Sequence, residues 1–228
     1  MNSDASTGVA AQAVHGSLFS LGSSSVTLVL GLIRAILLAR LLLPEHFGVF
    51  ALAHFFLSLA AQLQVGSLDA ALIHRKETPG AVLNTYFTLR TALLVGSMAL
   101  LAACVPLIQR FYPAISELDL VLFALIGANL LRVTNATQEV MLRKDLAFRR
   151  LAVIDIVSSL TMTIVAPALA WQGWGLWSLV AERVSGQVAR TAMVWGAYRL
   201  WGPRFGWDRD IGRWFWTYGF TAWKSSAL

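Results

Sequence analysis

An all-α polytopic membrane protein is the fold class this sequence predicts, and three observations carry it. Of the 228 residues, 57% are hydrophobic and only 13% are charged, about half the charged share of an ordinary soluble domain. The apolar residues fall in runs of about 20 or more, the length a helix needs to cross the hydrocarbon core. The separators between runs are short and hold Pro, Gly and charge, which end helices. Six segments qualify as spans, at about 16–43, 47–72, 81–108, 118–141, 150–171 and 174–198, and a seventh begins near Ile211. The chain therefore divides into a cytoplasmic N-terminal segment 1–15, a six-helix lobe 16–200, and a loop with the start of a seventh helix over 201–228.

The first segment follows MNSDASTGVAAQAV, which has no Lys or Arg and so no basic region of a secretory signal. The apolar run also outlasts a signal's hydrophobic core, so it reads as a retained helix. Within it Ser20, Ser24, Thr27, Gly31 and Arg34 follow steps of 4, 3, 4 and 3, which stacks them on one face. Small and hydroxyl side chains suit a helix–helix contact in a membrane. Arg34 asks for more, because a guanidinium at that depth needs water, a carboxylate or a ligand anion. Arg40 lies off that face and is expected to snorkel to the interface.

The second segment carries His54, Ser58, Gln62 and Asp69. His54 reads as a hydrogen-bonded packing residue ahead of a proton relay, and Asp69 as solvated or paired with Arg75. Arg90 lies in the third. The fourth holds Asn129, Arg132, Asn135 and Glu139 at steps of 3, 3 and 4. Arg132 and Glu139 share a face but stand roughly 10 Å apart along the axis, so each needs a partner elsewhere. Asp155 in the fifth reads as a counter-charge. The sixth carries Glu182, Arg183, Gln187 and Arg190.

Basic residues mark topology. The separators after the second, fourth and sixth segments hold Arg75, Lys76, Arg143, Lys144, Arg149, Arg150, Arg199, Arg204, Arg209 and Arg213, against Arg40 and Arg110 at the others. Lys and Arg favour cytoplasmic loops, which puts the N-terminus in the cytoplasm of a cell inner membrane protein. That clustering between apolar runs also argues against nucleic acid as the partner of the +6 net charge. A single cysteine, Cys104, excludes an internal disulfide and a Cys-based zinc site, and nothing resembles a metal cluster or nucleophile triad; no metal and no cofactor is expected. Among embedded groups, Arg34, Arg90, Arg132, Arg183 and Arg190 outnumber Glu139, Asp155, Glu182 and Asp69, which fit as counter-charges or ion-coupling groups. A cationic surplus inside a bundle points to a wet cavity awaiting an anion, and arginine's planar fork suits phosphate.

These residues also carry a resemblance. ARLLLPEHFGVFALAHFFLSLAAQLQVGSLDAALIHRKE (39–77) resembles the opening of polysaccharide flippases, where A-R-x-L-x-P-E-x-F-G joins the first two helices. LRKDLAFRRLAVIDIVSS (142–159), GWGLWSLV (173–180) and RLWGPRFGWDRD (199–210) are further matches. They are similar to O-antigen and exopolysaccharide exporters of the multidrug/oligosaccharidyl-lipid/polysaccharide exporter superfamily. The resemblance implies a polyprenyl-diphosphate-linked oligosaccharide moved across the membrane by alternating access, with membrane lipids and glycan polymerase or glycosyltransferase machinery as partners. GLIRAILLAR (31–40) is similar to the first helix of related lipid II flippases, which implies that Arg34 faces the central cavity.

Such exporters have about twelve to fourteen helices in two lobes, and this chain reaches only the start of a seventh, so it is expected to be one lobe of a truncated or partial form. The absence of G-x-x-x-x-G-K-[ST] points away from ATP hydrolysis and toward an ion gradient. The arginine surplus suggests a diphosphate site at Arg34, with Arg90, Arg132, Arg183 and Arg190 as further candidates. Alternatives are a multidrug exporter of the same superfamily, a non-transporting membrane subunit and a polysaccharide polymerase. A polymerase would need catalytic groups on a substantial loop, and RFYPAISELD is short. The expected class is therefore a transporter and not an enzyme.

Overall fold

The computed structural model describes residues 3–62, 67–75, 80–198, 202, 204–215 and 217, with residues 3–21, 67 and 74 described by backbone alone. Its regular structure is helical: α1 (Ser3–Leu41), α2 (Pro44–Gln62), α3 (Ser67–His74), α4 (Gly80–Phe111), α5 (Leu118–Leu130), α6 (Arg132–Lys144), α7 (Phe148–Trp171) and α8 (Leu176–Ala197). A further helical stretch covers 209–215. Ser20's side chain, Lys76, Arg199 and any seventh helix beyond 217 lie outside the described residues.

Among the described residues, three helices are long and apolar enough to cross a membrane: Gly22–Leu41 of α1, α4 and α7. The α5–α6 pair, bent by 40°, makes a fourth if it counts as one span. The expectation of six spans and a seventh is thus met in part among the described residues. The second expected segment is divided between α2 and α3, and α2 opens on the polar pair Glu45 and His46. The sixth, α8, holds Glu182, Arg183 and Arg190. Both helices turn polar groups toward the interior, which dilutes their apolar character.

α1 lies against α7 along one face, where Ser23 and Leu38 are buried. Thr163 Oγ1 of α7 donates to the Leu30 carbonyl at 3.4 Å. Between residues 22 and 41, α1 also exposes apolar side chains, with Leu28 at 72% and Leu32 at 59%, as expected of a helix that meets lipid. α7 continues into α8 through Gly173 and Gly175, whose φ values of +85° and +51° an L side chain rarely adopts. α7 and α8 then run in close contact. A Cβ on Gly186 would fall 1.8 Å from Met162 Cε, so glycine sets that approach.

Apolar packing is split along the bundle. The largest cluster joins α2, α4, α5, α7 and α8 around Leu57, Met98, Leu122, Ala166 and Leu179. A second gathers α3, α4, α6 and the 209–215 stretch around Leu72, Tyr86, Val140 and Phe215. A small third cluster, Leu142, Ile154 and Val194, ties α6 to α7 and α8.

The α5–α6 break falls at Leu131, between Asn129 and Arg132. Irregular backbone at membrane depth is tolerated where it lines a polar cavity, and these two residues do so. α6 ends in a Schellman motif: Ala147 N–H donates to Leu142 O at 2.9 Å and Leu146 N–H to Arg143 O at 3.1 Å. The left-handed position belongs to Leu146, at φ +53°. A non-glycine residue there costs roughly 1–2 kcal/mol. Leu146→Gly is therefore expected to stabilise the protein by about 1 kcal/mol, read as a higher unfolding temperature in detergent; an unchanged or lower one would contradict this account of the turn.

Candidate functional site

A cavity of about 380 Å³ lies among α2, α5, α6, α7 and α8. Helical periodicity builds its walls. On α6, Arg132, Glu139 and Arg143 stand at steps of 7 and 4, one face of the helix. On α8, Arg183, Gln187 and Arg190 stand at steps of 4 and 3. His54 of α2 and Asn129 of α5 add polar groups, while Leu57, Leu125, Ala128 and Met162 close the apolar remainder.

Among the described residues, embedded charge is paired at three places. Arg190 spans two carboxylates: Nη1 donates to Glu139 Oε1 at 3.0 Å, and Nη2 donates to Asp155 Oδ1. That contact joins α6, α7 and α8. Arg34 of α1 meets Glu182 of α8, Nε to Oε1 at 3.1 Å, with Nη1 buried and unpartnered among the described residues. Arg90 of α4 donates to Asp69 of α3 and, at 3.3 Å, to the Tyr86 hydroxyl. Tyr86 in turn donates to Asp69 at 2.6 Å. All four nominated carboxylates thus have an arginine.

The surplus is therefore local. Arg132, Arg143 and Arg183 form no ion pair among the described residues, and all three surround the cavity. Arg183 has the Phe50 ring beneath it, 6.0 Å from guanidinium carbon to centroid. Gln187 Nε2 is a buried donor without a partner among the described residues, a group that costs about 1–3 kcal/mol unless something accepts from it. Three free guanidiniums and an unused amide donor around one hollow can bind a multivalent oxyanion. No group of His, Cys, Asp and Glu among the described residues could hold a metal ion.

Residues 37–227 match the family described as polysaccharide biosynthesis protein. This chain belongs to the polysaccharide biosynthesis protein family. It is also 26% identical over 197 residues to the succinoglycan biosynthesis transport protein ExoT of Rhizobium meliloti (strain 1021), covering 82% of this chain and 37% of that protein. The chain thus spans little more than a third of the length of that curated relative. No solved structure matches it. Every residue lining the arginine cavity falls inside the stretch matched to the polysaccharide biosynthesis family, whereas Arg34 precedes it.

The five nominated arginines are separated by the structure. Arg132, Arg183 and Arg190 come together at the cavity, while Arg34 and Arg90 are held in ion pairs away from it. Asp69, expected to be solvated or paired with Arg75, is instead bound by Arg90 and Tyr86, because α3 lies alongside α4 at that level. Glu139 and Asp155 share Arg190, and Glu182 takes Arg34. Arg143, read from the sequence as a loop residue, belongs to the last turn of α6 and faces the hollow. Its spacing of four from Glu139 was the available signal. In this member of the polysaccharide biosynthesis family, Asp69→Asn should cost about 1–3 kcal/mol of stability by leaving Arg90 without its carboxylate. Together with Arg90→Gln the loss should fall short of the sum of the single losses. Purely additive losses in detergent unfolding would show that the pair is not coupled.

Proposed function

We propose that this chain forms one lobe of a transporter that carries a polyprenyl-diphosphate-linked oligosaccharide across the cytoplasmic membrane for exopolysaccharide or O-antigen synthesis. The observation that carries the reading is the cavity with three unpaired guanidiniums, Arg132, Arg143 and Arg183. A diphosphate presents several charged oxygens, and arginine meets them with paired, charge-assisted hydrogen bonds. The cavity's small size fits a phosphate group better than a whole glycan. The curated relative, a succinoglycan biosynthesis transport protein, supports transport over glycan chemistry.

In this reading Arg132, Arg143 and Arg183 bind the diphosphate, and Arg190 joins them when Glu139 or Asp155 releases it. Arg34 and Arg90 hold the bundle through Glu182 and Asp69. The lobe has six spans and the start of a seventh: α2 with α3 is the second, bent α5–α6 the fourth, and α8 the sixth. Residues 1–15 lie at its cytoplasmic end and 201–228 lead onward. Lipid-linked oligosaccharide, bilayer lipids and glycan-assembling enzymes are its partners, and an ion gradient drives the cycle.

Two measurements test this. Purified protein in nanodiscs should bind a polyprenyl diphosphate at least tenfold more tightly than the matching polyprenyl alcohol. Arg132→Gln or Arg183→Gln should each weaken diphosphate binding roughly tenfold to a hundredfold, the worth of hydrogen bonds to a charged group. Equal affinity for both lipids would sink the reading. Topology is checked with single-cysteine variants on a Cys104→Ser background. In intact cells, an impermeant thiol reagent should label cysteines placed at 114 and 172 and spare those at 145 and 208. The reverse pattern would invert the bundle.

A further inference from the structure

Where the chain turns between α1 and α2, α4 and α5, and α7 and α8, a second hollow of about 550 Å³ opens among the three turns. Its chemistry is the opposite of the arginine cavity. Glu45 and Glu117 line it, and no Lys or Arg does among the described residues. Neither carboxylate is ion-paired among those residues. Glu117 stands at the N-cap of α5 without a side-chain capping bond, so its oxygens stay available. Two indoles, Trp174 and Trp177, form another wall, with Trp174 54% exposed. His46 also lines the hollow, and its Nδ1 is buried without a partner among the described residues.

The turns that shape the hollow are held in place. Gln109 Nε2 of α4 donates to the Ile115 carbonyl at 2.8 Å, which fixes the loop before α5. Gly175, in a backbone conformation closed to L side chains, lies so close to His46 that a Cβ would sit 3.1 Å from the ring. Trp177 N–H donates to Trp174 O at 3.1 Å, setting the spacing of the indoles. The walls are therefore in position before any ligand arrives, which lowers the ordering cost of binding.

Free carboxylates beside exposed indole faces suit a neutral sugar. Ionised carboxylates accept hydrogen bonds from hydroxyls strongly, and the apolar C–H face of a pyranose lies flat on an indole. The same carboxylates repel phosphate. We infer that this hollow is a binding site for the uncharged glycan, distinct from the diphosphate cavity. α2, α5 and α8 start at the hollow and continue into the cavity. His46 and His54 on α2 stand about 12 Å apart along the axis, a separation that lets one lipid-linked sugar address both sites. That last point rests on the transport reading; glycan binding at the hollow does not.

The test is saturation-transfer difference NMR on the full chain in nanodiscs with cellotriose, maltotriose and mannotriose, alongside pyrophosphate binding by calorimetry. At least one trisaccharide should show transfer, reduced at least fivefold by Trp174→Ala and by the isosteric Glu117→Gln, while Arg183→Gln leaves it unchanged. Absence of transfer from all three sugars overturns the inference. So does a signal that survives both variants, which would make Trp174 an anchor at the lipid headgroups. Pyrophosphate binding should weaken at least tenfold in Arg183→Gln and be unchanged in Trp174→Ala. In the unmodified chain, absence of the sugar signal alone therefore overturns this site and leaves the diphosphate reading standing, and absence of pyrophosphate binding alone does the reverse.

Discussion

Arg190 lies between Glu139 of α6 and Asp155 of α7, and the rotation of three helices follows from that contact. An embedded guanidinium is tolerated only when paired or wet, and one spanning two carboxylates is over-compensated. Once α6 turns Glu139 toward α8, its period carries Arg132 and Arg143 to the same side. Once α8 turns Arg190 toward α6, Gln187 and Arg183 follow. The cationic wall is a geometric consequence of the pair. Substituents elsewhere agree with it: Asn135 donates to Thr191 Oγ1 at 2.8 Å, locking the same two helices one step away.

The outcome is a separation of charge within one bundle. Carboxylates at depth are taken by Arg34, Arg90 and Arg190, so Arg132, Arg143 and Arg183, unpaired among the described residues, meet at one hollow. Free carboxylates are found instead at the turns, beside indoles. A ligand with a charged group at one end and hydroxyls at the other meets a matching gradient along α2, α5 and α8. Membership of the polysaccharide biosynthesis family gives that polarity a chemical context.

Much of this was legible in the residues. Low charge and long apolar runs reported helices and a membrane, and PEHFG reported the family, although it opens α2 and the turn itself falls at Leu42 and Leu43. The steps linking Asn129 to Glu139 and Glu182 to Arg190 reported which faces were polar. Partnership was not legible, because a period fixes a face but not the helix opposite. Arg34 resembles a cavity residue by its motif, yet α1 lies against α7 within reach of Glu182, and the nearer carboxylate takes it. Asp69 went to Arg90 for the same reason. The break at Leu131 was hidden as well, since residues 118–141 read as one continuous run although the backbone bends by 40°.

The pair between Arg34 and Glu182 also imposes an order of events. α1 is synthesised before the helix it lies against, and Glu182 follows Arg34 by 148 positions. At ~5–20 residues per second, Arg34 waits about 7–30 s for its carboxylate. During that interval an intramembrane arginine carries a cost of roughly 2.5–3.5 kcal/mol unless it reaches for water or a headgroup. The exposed apolar side chains of Gly22–Leu41 let that helix reside in lipid until α7 and then α8 arrive. Its hydrophobicity serves the nascent chain as much as the finished one: α7 arrives first to cover one face, and α8 then brings the carboxylate.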